Sequence, residues 1–232
     1  RVVAFDKTGT LTRGCPGVTA IVPLAAVVDG VADGGVADGA VGSLAEDHLL
    51  RLAASLEQQS RHPLARALAE AARSRGLSLL TPQAVQSRPG LGLEGALGDA
   101  GALVRVGRLD WVLAGLDLAP GPAAEALRQR DRLELAGATV VAVAADRQLL
   151  GLVAMADAPR EDALASVVAL RRRGLTLALL SGDRRQPVEA LARTLVLPPA
   201  DLAWELLPEQ KLERLRQLQR LGPVAMVGDG IN

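Results

Sequence analysis

Cysteine occurs once in this 232-residue sequence, tyrosine not at all, phenylalanine once, tryptophan twice and lysine twice. A single cysteine, Cys15, excludes an internal disulfide, and a zinc cluster needs several Cys or His at set spacings that this chain does not offer. Neither sign of charge prevails: 26 basic side chains face 26 acidic ones, which leaves no broad basic field for nucleic acid and no acidic tail. No charge-free apolar run reaches the length of about 18 residues that a membrane-spanning helix requires, and no signal-peptide pattern occurs. The stretch is therefore expected neither to cross a membrane nor to be secreted, and the cytoplasm is its natural compartment. It opens directly in the apolar run Val2-Val3-Ala4-Phe5 and stops at Gly230-Ile231-Asn232 with no closing helix, which reads as a piece of something larger.

An apolar share of 49% over this length is ample for two compact domains with real cores. Among the basic residues only Lys7 and Lys211 are lysine, and the rest are arginine. A chain so biased keeps lysine where arginine will not serve. An ammonium is a compact charge suited to a crowded phosphate site, whereas the guanidinium fork is larger and flat.

Three short apolar runs each end in a polar or glycine-rich turn: Val2 to Phe5 before Asp6, Thr176 to Leu180 before Ser181-Gly182-Asp183, and Val224 to Val227 before Gly228-Asp229-Gly230. Buried parallel strands have this character. Helical patterns at residues 160 to 173, 186 to 195 and 208 to 220 alternate with them, which predicts a doubly wound α/β sheet. Functional groups in such sheets gather at the carboxyl ends of the strands, where all three polar turns sit. Residues 25 to 152 read differently, with helical stretches at 44 to 59 and 63 to 75 and strand-like runs near 103 to 107, 139 to 145 and 149 to 154. This predicts an inserted α+β domain over 25–152, with the parent domain in two pieces, 1–24 and 153–232. The Gly/Asp/Ala segment Asp29 to Gly42 reads as a surface loop, and its aspartates do not follow the spacing of a calcium loop.

Asp6-Lys7-Thr8-Gly9-Thr10-Leu11-Thr12 is the most specific string in the chain, and it resembles without mismatch the phosphorylation signature of P-type ATPases, DKTGTLT. Physically, a carboxylate at a strand end attacks the terminal phosphate of ATP in line when cations and backbone donors absorb the developing charge. Soluble haloacid-dehalogenase-like phosphatases share the expected fold and nucleophile, but they usually carry a second aspartate two residues on, as general acid and then base. Here that position is Thr8, which is no base near neutral pH. Ser181-Gly182-Asp183 resembles the family's TGD turn with Ser for Thr. Leu207-Pro208-Glu209-Gln210-Lys211 resembles its P-E-D-K segment, with Gln210 for Asp, and sets Lys211 at the phosphate-stabilising position. Met226 to Asn232 resembles the hinge motif GDGxND. The resemblance implies that Asp229 holds Mg2+ together with Asp6 and the Thr8 carbonyl, in the oxygen environment that ion prefers. It also assigns Lys7, Thr8, Ser181, Gly182, Asp183, Lys211 and Asn232 to the catalytic set.

In the inserted domain, Ser60-Arg61-His62-Pro63-Leu64-Ala65 resembles the SEHPL element of heavy-metal P-type ATPases, with Arg61 for Glu. Glu57 matches the family's adenine-contacting Glu, and Gly90-Leu91-Gly92-Leu93-Glu94-Gly95 its glycine-rich turn. Glycine lets backbone approach a purine, and Pro63 suits the first turn of a helix. Read without the family, His62 is a helix-capping surface histidine. Gly107-Arg108 stands where the family has Gly-Asn, Gly137 and Thr139 fit its pattern, and Asp157, Arg160 and Glu161 resemble the stretch that returns the chain to the first domain. The resemblance implies ATP bound at Glu57, His62, Pro63, Gly90 and Gly92, and Asp6 phosphorylated. It implies the cytoplasmic face of a membrane, with transmembrane helices and an actuator domain elsewhere in the parent as partners and the membrane reached only through that parent. Copper(I) is the expected cargo, zinc or cadmium the alternative. Outside transport stand a soluble phosphatase and a non-catalytic nucleotide-binding module.

Overall fold

The computed structural model describes residues 1–24, 38–60, 62–98 and 101–228, with the backbone alone for 38–41. The described chain forms two compact units, one of Arg1–Pro16, Glu134–Gly137 and Asp157 onward, the other of Gly17–Leu133 and Ala138–Ala156. These limits lie inside the boundaries expected from sequence, because β2 (Thr12–Pro23) and β7 (Gln148–Pro159) each contribute residues to both units.

In the first unit, strands β1 (Val2–Asp6), β8 (Thr176–Leu180), β9 (Leu202–Ala203) and β10 (Val224–Val227) form a sheet in the order β10-β1-β8-β9, every pair parallel. Successive side chains of a strand point to opposite faces, and here both faces are covered. Phe5, Leu177 and Leu179 pack with Val167 of α5 (Ala163–Arg172) and Val188 and Leu191 of α6 (Arg185–Thr194). Val2, Ala4, Ala178 and Leu180 pack with Leu218 of α7 (Pro208–Gln219). Two-sided burial is why these strands read as continuous apolar runs. The same alternation continues to Asp6 and delivers its carboxylate to the face that α7 covers.

The second unit is built on a sheet of order β2-β7-β6-β5-β4-β3, with β3 at Gln83–Arg88, β4 at Gly92–Leu97, β5 at Ala102–Gly107 and β6 at Thr139–Ala145. Strands β3 to β7 pair antiparallel. Val104, Val106, Val143 and Val153 pack with α1 (Asp38–Glu57) and α2 (Pro63–Ser74) through Leu49, Leu56 and Leu68. Ala142, Ala144 and Leu152 pack with α3 (Leu109–Ala114) and α4 (Pro120–Leu135) through Val112 and Ala126. The loop expected over 29–42 is corrected at its end: the backbone is already helical from Asp38. Extending a helix from a packed turn costs far less than starting one, so Gly39 and Gly42 do not stop it. The rest of that loop lies outside the described residues. No helix among the described residues is long and apolar enough to cross a membrane.

Candidate active site

Asp6 ends the central strand β1 and is 4% exposed. Its Oδ1 accepts the Lys7 amide at 2.8 Å and the Lys211 ammonium at 3.1 Å. Beyond it Lys7–Leu11 makes one wide turn, closed by the Thr12 amide on the Lys7 carbonyl, with Gly9 at φ 75°, a left-handed conformation that glycine takes without strain. The Thr12 hydroxyl donates to Asp157 Oδ2 at 2.6 Å and lies 3.1 Å from the Lys7 carbonyl, while Asp157 Oδ1 accepts the Gly14 amide at 3.0 Å. Asp157 thus braces the turn that carries the carboxylate. The sequence marked it only as part of the returning stretch, because its partners lie more than 140 residues earlier.

The Ser181-Gly182-Asp183 turn follows β8. Ser181 is 2% exposed and its hydroxyl accepts the Asp183 amide at 3.1 Å. The Asp183 carboxylate takes the Lys7 ammonium at 2.7 Å. The two lysines therefore have different partners, Lys211 on Asp6 and Lys7 on Asp183, and a pocket of about 490 Å³ is lined by Asp6, Thr8, Ser181, Gly182, Asp183 and Lys211 but not by Lys7. Leu206, Pro208, Leu212, Leu215 and Met226 form its apolar side. Pro208 and Met226 stand in the P-E-D-K and hinge segments, whereas Leu206, Leu212 and Leu215 carry no motif signal and were not expected at the site. Asp229, Gly230 and Asn232 lie outside the described residues.

In the second unit, Glu57 closes α1 half-buried. Burial pushes its carboxyl up, against the opposing pull of a hydrogen bond from Ser60 and the charge of His62. The Ser60 amide donates to the Glu57 carbonyl at 2.9 Å, and the Ser60 hydroxyl accepts the His62 amide at 3.2 Å. His62 caps α2: its Nδ1 accepts the Leu64 amide at 3.2 Å, with Pro63 in the first helical position. Accepting through Nδ1 leaves Nε2 as the donor of the neutral ring. Glu57, Ser60 and His62 are thus joined in one turn, from which Arg61 is outside the described residues.

Gly90 and Gly92 lie in the β3–β4 hairpin. Pro89 and Gly90 (φ 74°) form its turn, closed by Leu91 donating to Arg88 at 2.9 Å. At Gly92 (φ 153°) a Cβ would stand 2.3 Å from the Val106 carbonyl and 2.9 Å from the Trp111 ring, so β5 and α3 already demand glycine there. A Cβ at Gly90 would meet open space, leaving that backbone approachable. Gly95 packs on Leu56, which sets β4 against the end of α1 beside Glu57. Arg108 donates its amide to Leu91 at 2.8 Å and begins α3.

A buried strand-end carboxylate under a lysine, in a parallel sheet interrupted by an α+β insertion, is matched over residues 1–232 by the family described as haloacid dehalogenase-like hydrolase. The chain belongs to that family. It is 40% identical over 230 residues, 98% of its length, to the probable copper-transporting ATPase SynA of Synechococcus sp.. It is 35% identical over 230 residues, 99% of its length, to the zinc/cadmium/lead-transporting P-type ATPase of Escherichia coli K12. Its fold superposes on the crystal structure of a zinc-transporting PIB-type ATPase in the E2.Pi state with a TM-score of 0.78 at 35% identity, covering 99% of this chain and 33% of that one. The chain spans 25% of the first of these relatives and 27% of the second.

Proposed function

We propose that this chain is the ATP-handling cytoplasmic segment of a heavy-metal P-type ATPase, with Asp6 as the phosphorylated residue. The observation that carries the reading is the Lys211 ammonium on the Asp6 carboxylate at the pocket formed by Thr8 and the Ser181–Asp183 turn. Asp6 attacks the γ-phosphorus of ATP, the bond to the β–γ bridging oxygen breaks, and ADP leaves with the electron pair. Lys211 offsets charge as it develops on the transferred group, a contribution on the order of a hundredfold in rate for a single well-placed donor. Lys7, through Asp183, holds the second turn in register with the first. Thr8 has no carboxylate with which to activate water, so the acyl phosphate persists long enough to be coupled to a conformational change. That distinguishes the reading from a soluble phosphatase.

The oxygen donors fit Mg2+: the Asp6 carboxylate and the Thr8 carbonyl belong to residues that line one pocket, whose described lining holds no His or Cys. Mg2+ usually retains waters and binds substrate phosphates, so it needs few protein oxygens. Bound there, Mg2+ would neutralise charge on the phosphates. The nucleotide itself is assigned to the second unit, around Glu57, His62, Pro63, Gly90 and Gly92. The two-domain division into a phosphorylation part and an inserted nucleotide-binding part belongs to the same reading.

Copper(I) is the cargo we assign to the parent, because the SynA relative is named as a probable copper-transporting ATPase. Zinc or cadmium is the alternative, favoured by the zinc-transporting structure that this fold matches. Incubating the intact parent with labelled ATP tests both levels. An acid-stable, hydroxylamine-sensitive phosphoprotein whose formation requires Cu(I) is the expected result; dependence on Zn2+ instead would reassign the metal, and no phosphoprotein would leave a nucleotide-binding module.

A further inference from the structure

Helix α7 begins without a polar cap. Leu207 occupies that position and its side chain has no acceptor, yet its backbone N–H is bound at 2.8 Å by Gln210 Oε1, three residues on. This is one half of a capping box, made by the third helical residue reaching back. Pro208, in the first helical position, has no N–H to satisfy. The next residue is Lys211, whose amide donates to the Leu207 carbonyl at 2.9 Å and whose ammonium donates to Asp6 Oδ1 at 3.1 Å. Gln210 and Lys211 therefore grip Leu207 from both sides, one at its N–H and the other at its carbonyl.

The chain before Leu207 is fixed as well. Ser181 donates to the Ala203 carbonyl at 2.9 Å, Glu205 to the Asp183 carbonyl at 2.8 Å and Leu206 to the Ser181 carbonyl at 3.0 Å. Glu205 holds φ 54° to do so. Residues 203 to 211 thus form a continuous backbone rail from the Ser181–Asp183 turn to Lys211. Leu207 on this rail is 62% exposed, so apolar burial holds it little and the cap supplies restraint.

We propose that Gln210 is a positioning residue: by closing the first turn of α7 it holds the Lys211 ammonium on Asp6. Its functional consequence rests on the phosphotransfer reading above. A glutamate at this position accepts the same Leu207 N–H, as in the ordinary capping box.

The scarcity of lysine makes the test direct. Labelling the full chain with 13C,15N-lysine gives side-chain signals from Lys7 and Lys211 alone, assigned with Lys211→Met. Gln210→Ala is expected to move the Lys211 ammonium signal toward that of solvated lysine and to speed its proton exchange about fivefold, the ratio that ordinary loss of a cap gives. Lys7 should keep its signal, and Gln210→Glu should restore that of Lys211. An unchanged Lys211 signal in Gln210→Ala would overturn the proposal, as would failure of Gln210→Glu to restore it. If the alanine variant loses both lysine signals through unfolding, the glutamate variant decides. These signals do not depend on phosphorylation, so failure of Asp6 to be phosphorylated would remove the functional reading and leave this result standing.

Discussion

Glu57 is a carboxylate kept where it costs stability. With its carboxyl held above the ordinary range by burial, it contributes most when protonated, below about pH 4, and that contribution is lost as pH rises through the raised value. Glu57→Gln, which does not ionise, is therefore expected to raise the melting temperature at pH 7 and to change it little near pH 4. A lower melting temperature at pH 7 would show that the Ser60 and His62 interactions outweigh burial. His62 caps α2 through Nδ1 and keeps Nε2 as a donor, so the cap and the proposed ATP contact can be tested apart. His62→Ala is expected to lose about 1 kcal/mol of stability with the cap and about tenfold in ATP affinity with the polar contact. His62→Asn restores the cap and leaves ATP binding weak. A thermal melt and titration calorimetry on both variants check this, and unchanged affinity in both removes His62 from the site. At this scale the seven-residue Asp6–Thr12 string and the two lysines were legible, because strong local chemistry admits few residue types. The different partners of Lys7 and Lys211 were not, because side-chain pairing across about 180 to 200 residues leaves no local mark.

At the scale of elements, β1, β8, β10 and helices α5 to α7 lie within a few residues of where the apolar runs and helical patterns placed them. A doubly covered parallel sheet writes its strands as uninterrupted apolar runs. The hairpin of β3 and β4 was not legible as strands. All but Val85 of Gln83–Arg88 is exposed, and β4 begins and continues with glycine, so neither shows an alternating pattern. What shapes that hairpin is close backbone approach: a Cβ at Gly107 would stand 2.2 Å from the Leu91 carbonyl. Gly107→Ala is accordingly expected to destabilise the second unit by about 3 kcal/mol, read from urea unfolding as a lower midpoint with unchanged slope. A change below about 0.5 kcal/mol, the level of an ordinary surface substitution, would mean that β4 and β5 separate at no cost. Helix α4 was missed for a related reason, since its opening Pro120-Gly121-Pro122 reads as a breaker until Ala126 and Leu133 are seen buried.

For the whole molecule, a discontinuous α/β part holding Asp6 and an inserted α+β part holding Glu57 and His62 followed from the change of pattern after the first strand. The limits of the two units did not, because β2 and β7 are single strands that serve both. On the proposed function the nucleophile and the nucleotide contacts fall in different units, so their chemistry should be separable by mutation. The decisive measurement is labelling of the intact parent with γ-labelled ATP, comparing the native protein with Asp6→Asn and measuring ATP affinity of both. A hydroxylamine-sensitive phosphoprotein is expected in the native protein and none in Asp6→Asn, with ATP bound equally by the two. Phosphoprotein persisting in Asp6→Asn, or free phosphate released by this chain alone at an ordinary enzyme rate on the order of ten per second, would contradict the proposed function.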